Sequence, residues 1–105
     1  MIGQVFYNLI DNSLRHGGHT SEIRLSARVD SPDLVLVYED NGVGVIPEDK
    51  EKIFLKGFGK HTGLGMFLIR EVLSITGITI KETGTRDQGV LFEIRVPSGK
   101  FRFTS

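Results

Sequence analysis

The chain has 105 residues, enough for one compact domain and too few for two, so residues 1–105 are read as a single domain with residues 97–105 as a short tail. Hydrophobic residues at 39% and charged residues at 25% lie far from the composition of disordered chains, and thirteen Lys+Arg balance thirteen Asp+Glu, which leaves no general attraction to nucleic acid or to an anionic membrane. No cysteine is present, which excludes disulfides, thiolate metal sites and a cysteine nucleophile, and no apolar run is long enough for membrane insertion.

From Ile2 to His16, Ile2, Val5, Phe6, Leu9, Ile10 and Leu14 recur at three- and four-residue steps, the apolar face of a helix that Gly17-Gly18 ends. Glu22 to Val29 alternates, with Ile23, Leu25, Ala27 and Val29 on one face, and predicts a half-exposed strand. Asp30-Ser31-Pro32-Asp33 is a turn, and Leu34 to Tyr38 predicts the second strand of an antiparallel hairpin. That strand runs into a loop, Glu39-Asp40-Asn41-Gly42-Val43-Gly44. Pro47-Glu48-Asp49 can open a short helix reaching Ile53 or Phe54. Leu55 to Gly65 holds four glycines without an apolar period and is predicted to be a mobile loop. Helical spacing returns from Leu64 to Thr76 and stops at Gly77. Ile78 to Thr83 and Val90 to Val96 alternate as a second hairpin. Segregated hairpins with helices between them predict an α+β fold, a two-layer α/β sandwich whose mixed, mostly antiparallel sheet is covered on one face by helices.

Several residue groups carry possible chemistry. Asn8, Asp11, Asn12 and Ser13 sit mid-helix although each is a poor interior helix former. Asn8, Asn12 and Arg15 lie at i, i+4 and i+7, with His16 four residues beyond Asn12, so they form one polar stripe. A solvated face explains this stripe; so does a site in which an amide oxygen meets Mg²⁺ and an arginine meets phosphate. In Asp40-Asn41-Gly42-Val43-Gly44 the carboxylate can accept from an exocyclic amine while the glycines leave room for a planar base, although an ordinary turn has the same pattern. Thr62-Gly63-Leu64-Gly65-Met66 opens a helix with bare N–H groups suited to an anion. It lacks the Gly-Lys-Ser/Thr ending of a P-loop and does not follow a strand as a dinucleotide fingerprint does. Phe54 and Phe58 flank the glycine-rich loop as core or lid-anchoring hydrophobes. His16, His19 and His61 have no metal-site spacing.

In this order and spacing, Asn8 to His16, Asp40 to Gly44, Phe54 to Phe58 and Gly63 to Met66 resemble the catalytic ATP-binding domain of sensor histidine kinases, over Gln4 to Val96. The resemblance implies the Bergerat-type sandwich shared with type II topoisomerases, mismatch-repair ATPases and a heat-shock chaperone. It implies that Asn12 coordinates Mg²⁺ with Asn8 beside it, that Arg15 contacts phosphate and that His16 lies along the nucleotide. Asp40 would accept from the adenine amine, Gly42 and Gly44 would shape its pocket, and Gly63 and Gly65 would present N–H groups to the phosphates. Phe54 to Thr62 would form the ATP lid, with Leu64 and Met66 in the same motif. The family domain normally starts further upstream, so the chain reads as N-terminally trimmed; its lid is short, and Val90 stands where threonine is common.

The implied function is transfer of the ATP γ-phosphate to a histidine on a separate phosphoacceptor domain, with a response regulator as indirect partner, in the cytoplasm, whether or not the parent is membrane-anchored. An ATP hydrolase of the same fold is the second reading, set back because Asn8 replaces the glutamate that activates water. A nucleotide-sensing module without transferase activity is the third, and a serine-directed kinase of the same fold is also open.

Overall fold

The computed structural model describes residues 2–16, 18–55 and 65–99. Helix α1 spans Ile2–His16, the bounds set by its apolar repeat. Strands β1 (Ile23–Asp30) and β2 (Asp33–Asp40) form the first hairpin, closed by a turn with a cis Ser31-Pro32 bond. Two single 3₁₀ turns, Pro47–Asp49 and Lys52–Phe54, replace the expected short helix. Proline with two acids starts the first turn, and the chain straightens at Leu55. Helix α2 spans Gly65–Ile75, and β3 (Thr79–Glu82) pairs with β4 (Leu91–Val96) as the second hairpin.

The strand order is β1-β2-β4-β3, and each of the three described pairings is antiparallel. Tyr38 stands opposite Leu25 and Phe92, Leu36 opposite Ala27 and Ile94, and Ile80 opposite Ile94, so these side chains share one face. Both helices pack on that face. Val5 and Leu9 from α1 and Met66, Ile69 and Leu73 from α2 join Phe54, Tyr38, Ile80, Val90, Phe92 and Ile94 in one core. Each fully buried Leu or Ile in such a cluster contributes roughly 1.5–3 kcal/mol through lost apolar hydration. On the opposite face Val35 and Val37 are also buried. Arg28 and Arg95, the register neighbours of Val35, offer long aliphatic stems there.

The strand expected to be half-exposed, β1, is more exposed than that. All eight of its residues are exposed, Leu25 at 55% and Val29 at 63%. The alternation is real, but β1 forms the sheet edge, and the core is built from β2, β3, β4 and the helices, with no side chain from β1 among the described residues. The second difference is at the other hairpin strand. β2 does not stop at Tyr38: Asp40 pairs with Ile23 and its N–H donates to Val90 O at 3.1 Å, so the expected loop begins only at Asn41. No helix among the described residues is long and apolar enough to cross a membrane.

Candidate functional site

Asp40 is the last residue of β2 and is nine-tenths buried. A carboxylate so placed must be hydrogen-bonded to be tolerated. Its Oδ1 accepts from the N–H groups of Gly42 at 2.9 Å and Val90 at 3.0 Å, and its Oδ2 accepts from Ser13 Oγ at 2.6 Å. Two carboxylate oxygens offer about four acceptor directions. Three are taken by the protein, which leaves one on Oδ2 for an outside donor such as an amine.

Ser13 reaches Asp40 because α1 lies on this end of the sheet. Val5, Leu9 and Ser13 recur at four-residue steps and are all buried. Tyr38 O–H donates to Leu9 O at 3.1 Å and lies 2.7 Å from Ser13 Oγ, so phenol, hydroxyl and carboxylate form one buried chain. Burial, reinforced by the Asp40 charge and partly offset by the Ser13 bond, raises the Tyr38 pKa above its ordinary value. A phenol whose folded pKa is raised contributes stability that is complete below its unfolded value of about 10 and is lost as pH rises through the folded value. Urea midpoints measured from pH 9 upwards are therefore expected to fall in the parent and to fall less in Tyr38→Phe. Equal slopes would show that the phenol does not titrate with unfolding.

Two glycines close the site by near contact. Gly44 has φ +75°, and a Cβ there would stand 2.9 Å from Gly89 O and 3.0 Å from Thr85 O. Gly89 has φ +112°, and a Cβ there would fall 1.8 Å from Asp40 O. The β3–β4 loop thus lies directly against the strand end that carries Asp40, a fit that any side chain would break.

The other expected residues divide clearly. Asn8 and Asn12 are half-buried, one step round α1 from the buried Val5, Leu9 and Ser13, and neither makes a side-chain hydrogen bond among the described residues. Arg15 instead holds Asp11 through both carboxylate oxygens, at 3.0 and 2.9 Å, an exposed i, i+4 pair of the kind worth only about 0.3–0.5 kcal/mol. Gly42 is buried and bonded to Asp40, and Gly65 starts α2. Phe54 and Met66 sit in the core; the Phe54 ring is edge-on to Phe92 at 6.3 Å with the Arg70 guanidinium 4.1 Å over it. Both are packing side chains, the role the aromatic spacing left open. Phe58, Thr62, Gly63 and Leu64, most of the expected lid and the side chain of His16 lie outside the described residues. Ser13, Tyr38 and Val90 contact or support Asp40 although the sequence reading assigns them no binding role. Only Ser13 had a local signal, its poor fit to a helix interior.

Among the described residues no group of three His, Asp or Glu side chains is arranged to hold a metal.

The pattern of the histidine kinase-, DNA gyrase B- and HSP90-like ATPases matches residues 1–100. The chain is 28% identical over 109 residues to histidine kinase P4 of Formosa agariphila, covering 92% of this chain and 8% of that protein. It is 29% identical over 102 residues to the sensor protein KdpD of Escherichia coli, covering 90% and 11%, and 29% identical over 103 residues to the sensor protein SrrB of Staphylococcus aureus, covering 90% and 18%. It therefore spans less than a fifth of the length of these relatives. The solved catalytic domain of the histidine kinase ThkA, nucleotide free, has a TM-score of 0.77 at 27% identity, covering 92% of this chain and 67% of that one. Full-length ShkA in complex with AMPPNP has a TM-score of 0.81 at 22% identity, covering 91% and 21%, a likeness of fold.

Proposed function

Because the chain belongs to the family of histidine kinase-, DNA gyrase B- and HSP90-like ATPases, we propose that it binds Mg-ATP beside Asp40 and transfers the γ-phosphate to a histidine on a separate phosphoacceptor domain. The observation that carries this reading is the Asp40 carboxylate, buried at a strand end and satisfied by three protein donors with one acceptor direction left. That direction suits the exocyclic amine of adenine, and the close approach at Gly44 and Gly89 keeps the wall beside it bare of side chains.

Asn12, with Asn8 beside it, would hold the metal through its amide oxygen, in keeping with a cation that takes most of its remaining ligands from phosphate and water. Magnesium, when bound, neutralises phosphate charge. Arg15 would leave Asp11 to meet phosphate, and the backbone of Gly63 and Gly65 would donate to it. The partner's histidine nitrogen would attack the γ-phosphorus as the bond to the β-phosphate oxygen breaks, and ADP would leave. Asn8 cannot take a proton from water, which favours transfer over hydrolysis. A response regulator would then receive the phosphate from the histidine. The domain would do this work in the cytoplasm, where ATP is supplied.

Titration with ATP, with and without Mg²⁺, tests the site. Asn12→Ala is expected to remove the metal's enhancement of binding while circular dichroism stays that of the parent; an unchanged metal dependence would refute the assignment. Radiolabelled ATP tests the reaction. Acid-labile label on an added helical-hairpin domain with an exposed histidine is expected, with little phosphate release by the chain alone. Steady release would favour a hydrolase, and acid-stable label a serine-directed kinase.

A further inference from the structure

Glu82 ends β3 on the helix-facing side of the sheet, opposite Phe92, and its side chain is fully buried. A glutamate in that position takes a place an apolar residue would normally fill, so its partners matter. Its Oε2 accepts from the N–H groups of Gly84 at 3.0 Å and Leu91 at 2.9 Å, and its Oε1 is paired with Lys50 Nζ. Lys50 also donates to Gly84 O at 2.8 Å. Three separated stretches therefore meet on one carboxylate: the end of β3, the start of β4 and the residue that caps the first 3₁₀ turn. The space around it is full, since a Cβ on Gly84 would lie 2.7 Å from Gly89 O and 2.8 Å from both Glu82 Oε2 and Leu91 N.

The N–H that Glu82 receives from Leu91 is adjacent in the chain to the one Asp40 receives from Val90. Two buried carboxylates thus capture consecutive N–H groups on entry to β4, one from each side of the strand. Asp40 gains a fixed donor on Oδ1 only if that entry is held in place, and the carboxylate that holds it is Glu82, neutralised by Lys50.

We propose that Glu82, with Lys50, is a positioning pair for nucleotide selection: it fixes the start of β4 so that Val90 N–H orients Asp40 toward the base. This rests on the nucleotide reading of Asp40. The pair touches neither base nor phosphate in this scheme, and it acts through Leu91, Val90 and Asp40.

Glu82→Gln keeps the size of the side chain but turns an amide toward the Lys50 ammonium. Partners that orient metal ligands are commonly worth 10–100-fold; by analogy ATP affinity is expected to fall roughly tenfold here, with the ATP-over-GTP preference shrinking by a similar factor. Exchange of the Val90 amide, followed by NMR without nucleotide, is expected to speed up. Lys50→Met/Glu82→Gln removes the clash, and much of the preference should return, because deleting both members of a buried pair is far less harmful than deleting one. Lys50→Met alone gives the same readouts if Glu82→Gln does not fold, and should also weaken the preference. A variant that is less heat-stable but keeps the parent's ATP-over-GTP ratio and Val90 exchange would show a structural pair only and overturn the proposal. If the parent itself showed no preference for ATP, the reading of Asp40 would fall first, and this inference with it.

Discussion

Asp40→Ala is expected to lose about ten- to a hundredfold in ATP affinity, the effect of deleting one buried, charge-assisted hydrogen bond of roughly 1.5–3 kcal/mol. The same change leaves the N–H groups of Gly42 and Val90 without their acceptor and leaves Ser13 Oγ with Tyr38 alone, so stability should fall as well. Asp40→Asn separates the two effects. Its remaining carbonyl oxygen can still receive Gly42 and Val90, while its NH₂ group replaces the oxygen that would face the adenine amine. The fold should persist, ATP binding should weaken, and GTP, which presents a carbonyl at the equivalent ring position, should compete better. Calorimetric titration of both nucleotides into both variants measures this. ATP binding as tight as the parent's in Asp40→Asn would exclude Asp40 as the base-reading group.

Gly89→Ala is the substitution expected to damage the fold most. The backbone at φ +112° disfavours any side chain, and the added carbon would stand 1.8 Å from Asp40 O, against backbone rather than a flexible side chain that could move aside. Strained backbone alone costs about 1–3 kcal/mol, and moving the loop would break Val90 N–H to Asp40 and Leu91 N–H to Glu82 together. A loss of about 3 kcal/mol or more is expected, at the upper end for a single substitution, together with most nucleotide binding. Gly77→Ala is the control. Gly77 has φ +77° but nothing within 4 Å of a Cβ, so it carries the backbone cost without the collision. Equal urea midpoints for the two variants would show that the contact with Asp40 O is not the cause.

The residues themselves determined what depends on near neighbours. The bounds of α1 follow from Ile2, Val5, Leu9 and their three- and four-residue spacing, and the two hairpins follow from alternation interrupted by Ser31-Pro32 and by the Gly84 to Gly89 turn. Asn8 and Asn12 stand out because amides inside a helix are locally unfavourable choices, and Asp40 because the glycines beside it leave bare backbone that a ligand can approach. The tertiary structure alone decided what those residues meet. Asp40 belongs to the strand and not to the loop because Ile23 and Val90, 17 residues before it and 50 residues after it, pair with it there. Ser13 becomes part of the site because α1 crosses the sheet at Tyr38 and Asp40, 25 and 27 residues on. Alternation in β1 marked an apolar face without saying that the strand would lie at the edge, since periodicity records which side chains share a face but not whether anything packs on it. The 2.0-residue period of β3 places Glu82 on the same face as Ile80; Lys50, 32 residues earlier in the chain, together with the N–H groups of Gly84 and Leu91, makes burial of its charge possible.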